Sequence, residues 1–282
     1  VRVLLVPNTA NPAALNAVSE LASWLVVSGL EPVVASQDAS ECGLEEYGAA
    51  PVDIGEPVLV VALGGDGTIL KAVHLLGERE VPILGANLGR LGFMAGTGAE
   101  RVREAVEAAL AGEGRIERRR TLAATVSSGG RQRGRYRALN EAYVGRGTSM
   151  RVVDLELLVN GTLVSRLRCD GIIVATSTGS TAYALSAGGP IVSPDLECMV
   201  VVHVAPHTVA SRALVVGPSD RIDIGLSNPA RRDAYVSIDG TLTPRLPDIE
   251  SVKVVLGEHD VLLVRLEGRD FYEIVRSEFL RG

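Results

Sequence analysis

Val58-Leu59-Val60-Val61-Ala62-Leu63-Gly64-Gly65-Asp66-Gly67-Thr68, residues 58–68, decides the fold together with the stretch Ile69 to Leu76 that follows it. The unbroken aliphatic run reads as a strand of a parallel sheet, because helices on both faces of such a sheet leave no wet side to alternate with. A glycine turn and a helix start come next, so the turn lies at a strand's carboxyl edge, where α/β sheets bind ligands. Three glycines within four residues allow positive φ and close approach of backbone N–H groups, and the first helical turn offers further unpaired donors. A phosphate group suits that environment. Asp66 adds a negative charge to it. Its carboxylate can bridge to phosphate through a divalent cation, take a proton from an attacking hydroxyl, or cap the helix.

Working outward, Val1 to Val6 reads as a buried strand, Ala13 to Ser28 as a helix with Leu15, Val18, Leu21, Ala22 and Leu25 on one face, and Glu31 to Ser36 as a second strand. Together they make a right-handed βαβ unit, with Gly29 ending the helix. Residues 37–57 form a polar connection with little pattern. Val81 to Ala86 is another short buried strand, and it runs into Asn87-Leu88-Gly89-Arg90-Leu91-Gly92-Phe93, a second candidate ligand wall. Glu100 to Ala111 has helical spacing and is stopped by Gly112.

The character then changes. After the charged stretch 114–120 come short Val, Leu and Thr runs near 121–128, 152–159, 162–167, 171–175, 199–205, 221–226, 234–238, 252–256 and 261–266, separated by turn signals such as Asn160-Gly161 and Asp239-Gly240. Asn-Gly between two such runs is a strong hairpin signal. Phe271 to Leu280 reads as a closing helix. The expected architecture is an α/β domain with a Rossmann-like parallel sheet over residues 1–98, a mainly β, sandwich-like domain over 99–266, and a C-terminal helix, 267–282, returning to the first domain.

The chain has 282 residues, a formal charge of -6 and only 4% aromatic residues. That composition suits a globular protein with an aliphatic core and argues against a general nucleic-acid binder, which needs a broad excess of Lys and Arg. Cys42, Cys169 and Cys198 are few and far apart, fitting neither a metal site nor a disulfide framework. With no leader pattern and no uncharged apolar run near 18 residues, a cytoplasmic protein without a membrane span is expected.

Four more clusters carry polar groups. Asn140-Glu141 opens the strand Ala142-Tyr143-Val144, a position where two polar residues read first as structural. Arg168-Cys169-Asp170-Gly171 precedes Ile172-Ile173-Val174-Ala175, and an Arg/Asp pair in a surface turn is its plain reading. Thr176 to Pro190 packs hydroxyls, glycines and Tyr183 into fifteen residues, a density that suits sugar hydroxyls and a purine edge. Pro206-His207-Thr208 is a turn after a strand, its histidine structural.

GGDGT at 64–68, NLGRLGF at 87–93, NE at 140–141, CDG at 169–171, TGSTAYALSAGGP at 178–190 and PHT at 206–208 resemble, in order and spacing, the bacterial NAD kinases. Ser177 departs from the pattern, where the family usually has proline. The resemblance implies transfer of a phosphoryl group from ATP, or from inorganic polyphosphate, to the 2′-hydroxyl of the adenosine ribose of NAD, with Mg²⁺ or another divalent cation. It implies that Asp66 is the proton acceptor, with Gly67 and Lys71 lining the turn. Asn140 and Glu141 would hold the adenosine part. Thr181, Ala182, Tyr183 and Ser186 would surround the adenine, with Thr178, Ala184 and Leu185 in the same segment. Phe93 would cover the adenine, Asp170 flanked by Arg168 would meet the nicotinamide riboside, and Arg151 matches a basic position. A homodimer or homotetramer is implied. The alternatives are a lipid or sugar kinase sharing the GGDGT turn, or a non-catalytic NAD-binding regulator. NADP formation from ATP, Mg²⁺ and NAD separates them.

Overall fold

The computed structural model describes residues 1–89, 92–147, 151–208, 211–227, 234–244, 248–266 and 270–279. It divides into two compact units, residues 1–118 with 261–282, and residues 119–260.

The first unit runs β1 (Arg2–Pro7), α1 (Pro12–Val27), β2 (Glu31–Ala35), α2 (Ser36–Cys42), β3 (Gly48–Ala49), β4 (Leu59–Gly64), α3 (Asp66–Leu76), β5 (Pro82–Asn87), β6 (Thr97–Gly98), α4 (Val102–Leu110) and β7 (Arg115–Arg119). β1, β2, β4 and β5 are parallel neighbours in the order β2-β1-β4-β5, β3 extends the β2 edge, and β6 pairs with β5. α1 starts as its sequence dictates: the Asn11 side chain accepts the Ala13 N–H, and Pro12 occupies the first turn, where a missing donor costs nothing. Its Ala14, Val18, Leu21, Ala22 and Leu25 join the core against β1 and β4. The pattern-poor stretch 37–57 contains most of α2, a 3₁₀ turn at Glu45–Tyr47 and β3. A seven-residue helix burying only Asp38 and Ala39 has too short a face for its period to be read.

The second unit contains β8 (Leu122–Ser128), β9 (Arg131–Ala138), β10 (Glu141–Arg146), β11 (Val153–Val159), β12 (Thr162–Cys169), β13 (Gly171–Thr176), α5 (Tyr183–Ser186), β14 (Met199–Val204), β15 (Leu214–Val216), β16 (Ile222–Leu226), β17 (Ala234–Ile238), β18 (Thr241–Leu242) and β19 (Ile249–Leu256). They form two six-stranded sheets, β15-β14-β13-β10-β17-β18 and β12-β11-β16-β19-β8-β9, antiparallel throughout their described pairings. Inward residues such as Leu155 and Leu157 alternate with outward Glu156 and share one core with Ile172 and Val174 of the other sheet. The β11–β12 hairpin turns at Asn160-Gly161, both with positive φ.

The chain finally returns to the first sheet as β20 (Val261–Arg265), parallel to β5, and ends in α6 (Phe271–Phe279). The first sheet therefore reads β3-β2-β1-β4-β5-β20-β7. These bounds differ from the expected 1–98, 99–266 and 267–282 because β7 and β20 extend the first sheet rather than the second. Among the described residues no helix is long and apolar enough to cross a membrane.

Candidate functional site

β4 and β5 run parallel with Gly64 opposite Asn87, so the turn after β4 and the loop after β5 leave the same carboxyl edge side by side. Glycine is required at 64, since a Cβ there would lie 2.1 Å from Thr68 Oγ1. The expectation of positive φ in this turn is not met at any of its three glycines. At Gly65 and Gly67 the benefit is open space instead: among the described residues no atom lies within 4 Å of where a Cβ would stand, and Gly67 is exposed. The turn thus presents bare backbone at the start of α3, where N–H groups lack intrahelical partners.

Asp66 is the first residue of α3, and Gly65 holds the capping position without a side-chain bond. Rather than capping its own helix, the Asp66 carboxylate reaches the neighbouring loop. Oδ2 accepts the Phe93 N–H at 2.8 Å, and Oδ1 accepts those of Met94 and Ala95 at 3.0 and 3.2 Å. Gly92 permits this approach, because a Cβ there would lie 2.3 Å from Oδ1. Of roughly four lone-pair directions on a carboxylate, three are occupied. Among the described residues the open one is on Oδ2.

Two expected neighbours of the turn are engaged elsewhere. Lys71, five residues into α3, donates to Oδ1 of buried Asp38 on α2 at 2.5 Å, so its charge is already countered. The ring of Phe93 lies 5.9 Å from Phe271 and stacks 5.8 Å from Phe279, both on α6. Arg90 and Leu91 of the loop lie outside the described residues.

In the second unit, Asn140 and Glu141 stand at the mouth of β10. The strand mouth is held by Asp239, which the sequence marks only as part of an Asp-Gly turn. Its carboxylate accepts the N–H groups of Leu139, Asn140 and Glu141 at 2.8, 2.7 and 3.0 Å. Glu141 is 7% exposed. It accepts the Tyr183 N–H, while Oε2 finds no partner among the described residues. Burial first, then the nearby Asp239 charge, push its carboxyl up to about 7, against the opposing Tyr183 hydrogen bond. A buried carboxyl oxygen without a partner at the mouth of a strand makes Glu141 a candidate binding group.

The segment after β13 covers the outer face of that strand. Tyr143, Ile173, Ala175, Ala184 and Val200 form a small second core there, which is why the run 171–176 is buried on both faces. Several hydroxyls expected to face a ligand are internal ties. Thr176 Oγ1 donates to Leu139 O at 2.6 Å, Ser180 Oγ donates to Ser177 O at 2.7 Å, and Ser177 Oγ donates to Leu196 O. Gly179 lies so close to the Asn140 carbonyl that a Cβ would sit 2.0 Å from its oxygen. Ala184 is fully buried, so its side chain is a packing group, while Tyr183 and Ser186 are exposed and Thr181, Ala182 and Leu185 are partly so. Thr178 is 9% exposed.

Asp170 and Arg168 do not pair with each other. Arg146, across the β10–β13 ladder, binds Asp170 Oδ1 at 3.1 Å, and Arg168 binds Asp154 at 3.2 Å. Tyr143 donates to the Asp170 carbonyl and lies 5.6 Å, edge-on, from Tyr183. Arg146 escaped the sequence reading because only the strand register brings it opposite Asp170. Arg151 is exposed.

Residues 3–114 match a family model described as ATP-NAD kinase N-terminal domain, and residues 139–266 match one described as ATP-NAD kinase C-terminal domain. The chain is 37% identical over 273 residues to the NAD kinase of Geobacter metallireducens, covering 96% of this chain and 95% of that protein. It is 35% identical over 275 residues to that of Geobacter sulfurreducens, with the same coverage. Among solved structures, yeast NADH kinase complexed with NADH superposes with a TM-score of 0.89 at 25% identity, covering 99% of this chain and 87% of that one. An NAD kinase from Archaeoglobus fulgidus in complex with ATP gives 0.75 at 29% identity, covering 98% and 99%.

Proposed function

The chain belongs to the NAD kinase family, an enzyme family that phosphorylates NAD to NADP, and from that premise we propose how its own residues carry the reaction. The acceptor is the 2′-hydroxyl of the adenosine ribose and the donor is ATP or inorganic polyphosphate. The ATP and NADH named with the two solved relatives support nucleotides as donor and acceptor.

Asp66 is the proton acceptor. The observation that carries this reading is the triple amide clamp, which fixes the carboxylate and leaves one lone pair on Oδ2 for a hydroxyl. In phosphoryl transfer the transition state is loose, so placing donor and acceptor in line and offsetting charge on the equatorial oxygens does most of the work. An ionised carboxylate hydrogen-bonded to the 2′-hydroxyl orients it and takes its proton late. The Gly65 and Gly67 backbone and the first turn of α3 supply donors to the phosphates, a local source of positive potential in a chain of net charge -6.

A divalent cation such as Mg²⁺ would be held mainly by the donor's phosphate oxygens and water, because the one position left on the Asp66 carboxylate is assigned to the hydroxyl. Among the described residues no group of three or more His, Cys, Asp or Glu side chains offers an all-protein cage. When bound, the cation neutralises charge on the transferring phosphoryl group.

On the acceptor side, Asn140 and Glu141 hold the adenosine, with Glu141 Oε2 accepting from a sugar hydroxyl. Thr181, Ala182, Tyr183 and Ser186 surround the adenine, Thr178, Ala184 and Leu185 supporting them mainly through backbone and packing. Asp170, braced by Arg146, meets the nicotinamide riboside. Arg168 and Arg151 supply further positive charge, and the working form is a homodimer or homotetramer.

The test is Asp66→Asn in an assay of NADP formation from ATP, Mg²⁺ and NAD. Turnover is expected to fall at least about 100-fold, the lower end of a general base's contribution, while NAD binding stays within a few fold. Near-normal turnover removes Asp66 from the role.

A further inference from the structure

The loop that clamps Asp66 is itself clamped. Arg265, the last residue of β20, donates from Nη2 to the Phe93 carbonyl at 2.9 Å and from Nε to Glu117 Oε2 on β7 at 3.0 Å. The two side chains are only 14% and 16% exposed. Glu117 is braced on its other oxygen, Oε1, by Arg115 Nη2. The Phe93 carbonyl and the Met94 N–H belong to one peptide unit, which is planar and stiff. Its carbonyl end is tied to Arg265, and its N–H end donates to Asp66 Oδ1. Turning this peptide about its own axis would break both bonds together.

We propose that Arg265, oriented by Glu117, is a positioning residue for phosphoryl transfer: it locks the 93–94 peptide plane whose N–H aims the Asp66 carboxylate. The inference rests on Asp66 being the proton acceptor. A cationic donor on the carbonyl also polarises the peptide and strengthens the N–H at its other end. The planar guanidinium can serve Glu117 and the Phe93 carbonyl at once from two nitrogens in a fixed fork, a geometry the compact ammonium of a lysine does not reproduce. The contacts of the Phe93 ring with Phe271, tilted, and with Phe279, stacked, restrain the same residue from its side chain. Three constraints thus converge on one loop residue that itself donates to the carboxylate.

A kinetic double-mutant cycle on the full chain tests this. Arg265→Gln is expected to lower kcat about tenfold, with KM for NAD and ATP changed less than about threefold, since the interaction lost bears on the chemical step rather than on uniform binding. Arg265→Lys should fall between it and the parent. In an Asp66→Asn background, Arg265→Gln should change the residual kcat less than about twofold, because residues acting through one another are not additive. An equal loss in both backgrounds, a change in KM alone, or an unaltered kcat overturns the proposal. Should Arg265→Gln fail to fold, Glu117→Gln, which keeps the shape while weakening the brace on Arg265 Nε and the pair with exposed Arg115, carries the same cycle with the same expected pattern. Asp66→Asn measured alone separates the two ideas. If it is nearly inactive while Arg265→Gln is additive, the positioning role fails and the proton acceptor stands; if it turns over normally, both fail.

Discussion

Glu141 shows how far a single residue type can be read. Asn-Glu at a strand mouth reads first as structural from sequence, and burial is what makes Glu141 a candidate: a carboxyl pushed up to about 7 with an open oxygen is costly to keep for packing alone. The folded-state value lies above the ordinary 4.5. This group therefore favours the folded state most below pH about 4.5, and the advantage is lost as pH rises from there to about 7, by on the order of 3 kcal/mol. Glu141→Gln should remove that dependence. In denaturant unfolding at pH 5 and pH 8, the parent is expected to lose stability relative to the variant as pH rises; a constant difference between the two proteins would contradict the burial effect. Asp66 was legible as a charge at a phosphate turn, but its clamp was not. Three amides from a loop 27 to 29 residues away are brought to it by strand register.

Among the elements, the aliphatic strands β1, β4, β5 and β13 and the capped helix α1 were readable because local pattern and buried environment agree. The missed elements lie where that agreement breaks. β7 and β9 are terminal strands of their sheets and carry rows of arginine, which protects an open edge but erases the apolar alternation. Within the hydroxyl-rich segment 176–186, Thr176, Ser177 and Ser180, which are not among the candidate site residues, spend their hydroxyls on backbone carbonyls that knit the segment to β13 and its neighbours. Asp239 was underread, since Asp-Gly signals a turn without saying what the carboxylate binds. It closes the mouth of β10 with three amide bonds. Asp239→Ala leaves those donors without their acceptor and is expected to cost about 3 kcal/mol, the order expected when hydrogen bonds to a buried charge are lost. Urea denaturation reads this directly, and a loss below about 1 kcal/mol would mean that the strand mouth is held by other contacts.

For the whole molecule, the proposed function draws on residues of both units. The first unit carries the turn after β4 with its clamped carboxylate, and the second carries the polar mouth of β10 and the segment over β13. The two-part organisation is legible from the change of pattern after Gly112, although the units divide at 118/119 rather than at the expected 98. The return of β20 to the first sheet was not, because a short Val-Leu run suits either kind of sheet and only pairing with β5 assigns it. That return matters, since it carries Arg265 to the loop that holds Asp66. The most direct measurement is a crystal structure of the protein with NAD bound, read at one distance. The adenosine 2′-oxygen is expected within ~3.2 Å of Asp66 Oδ2, the reach of a proton acceptor; a 2′-oxygen separated from that carboxylate by more than a single bridging water would contradict the assignment.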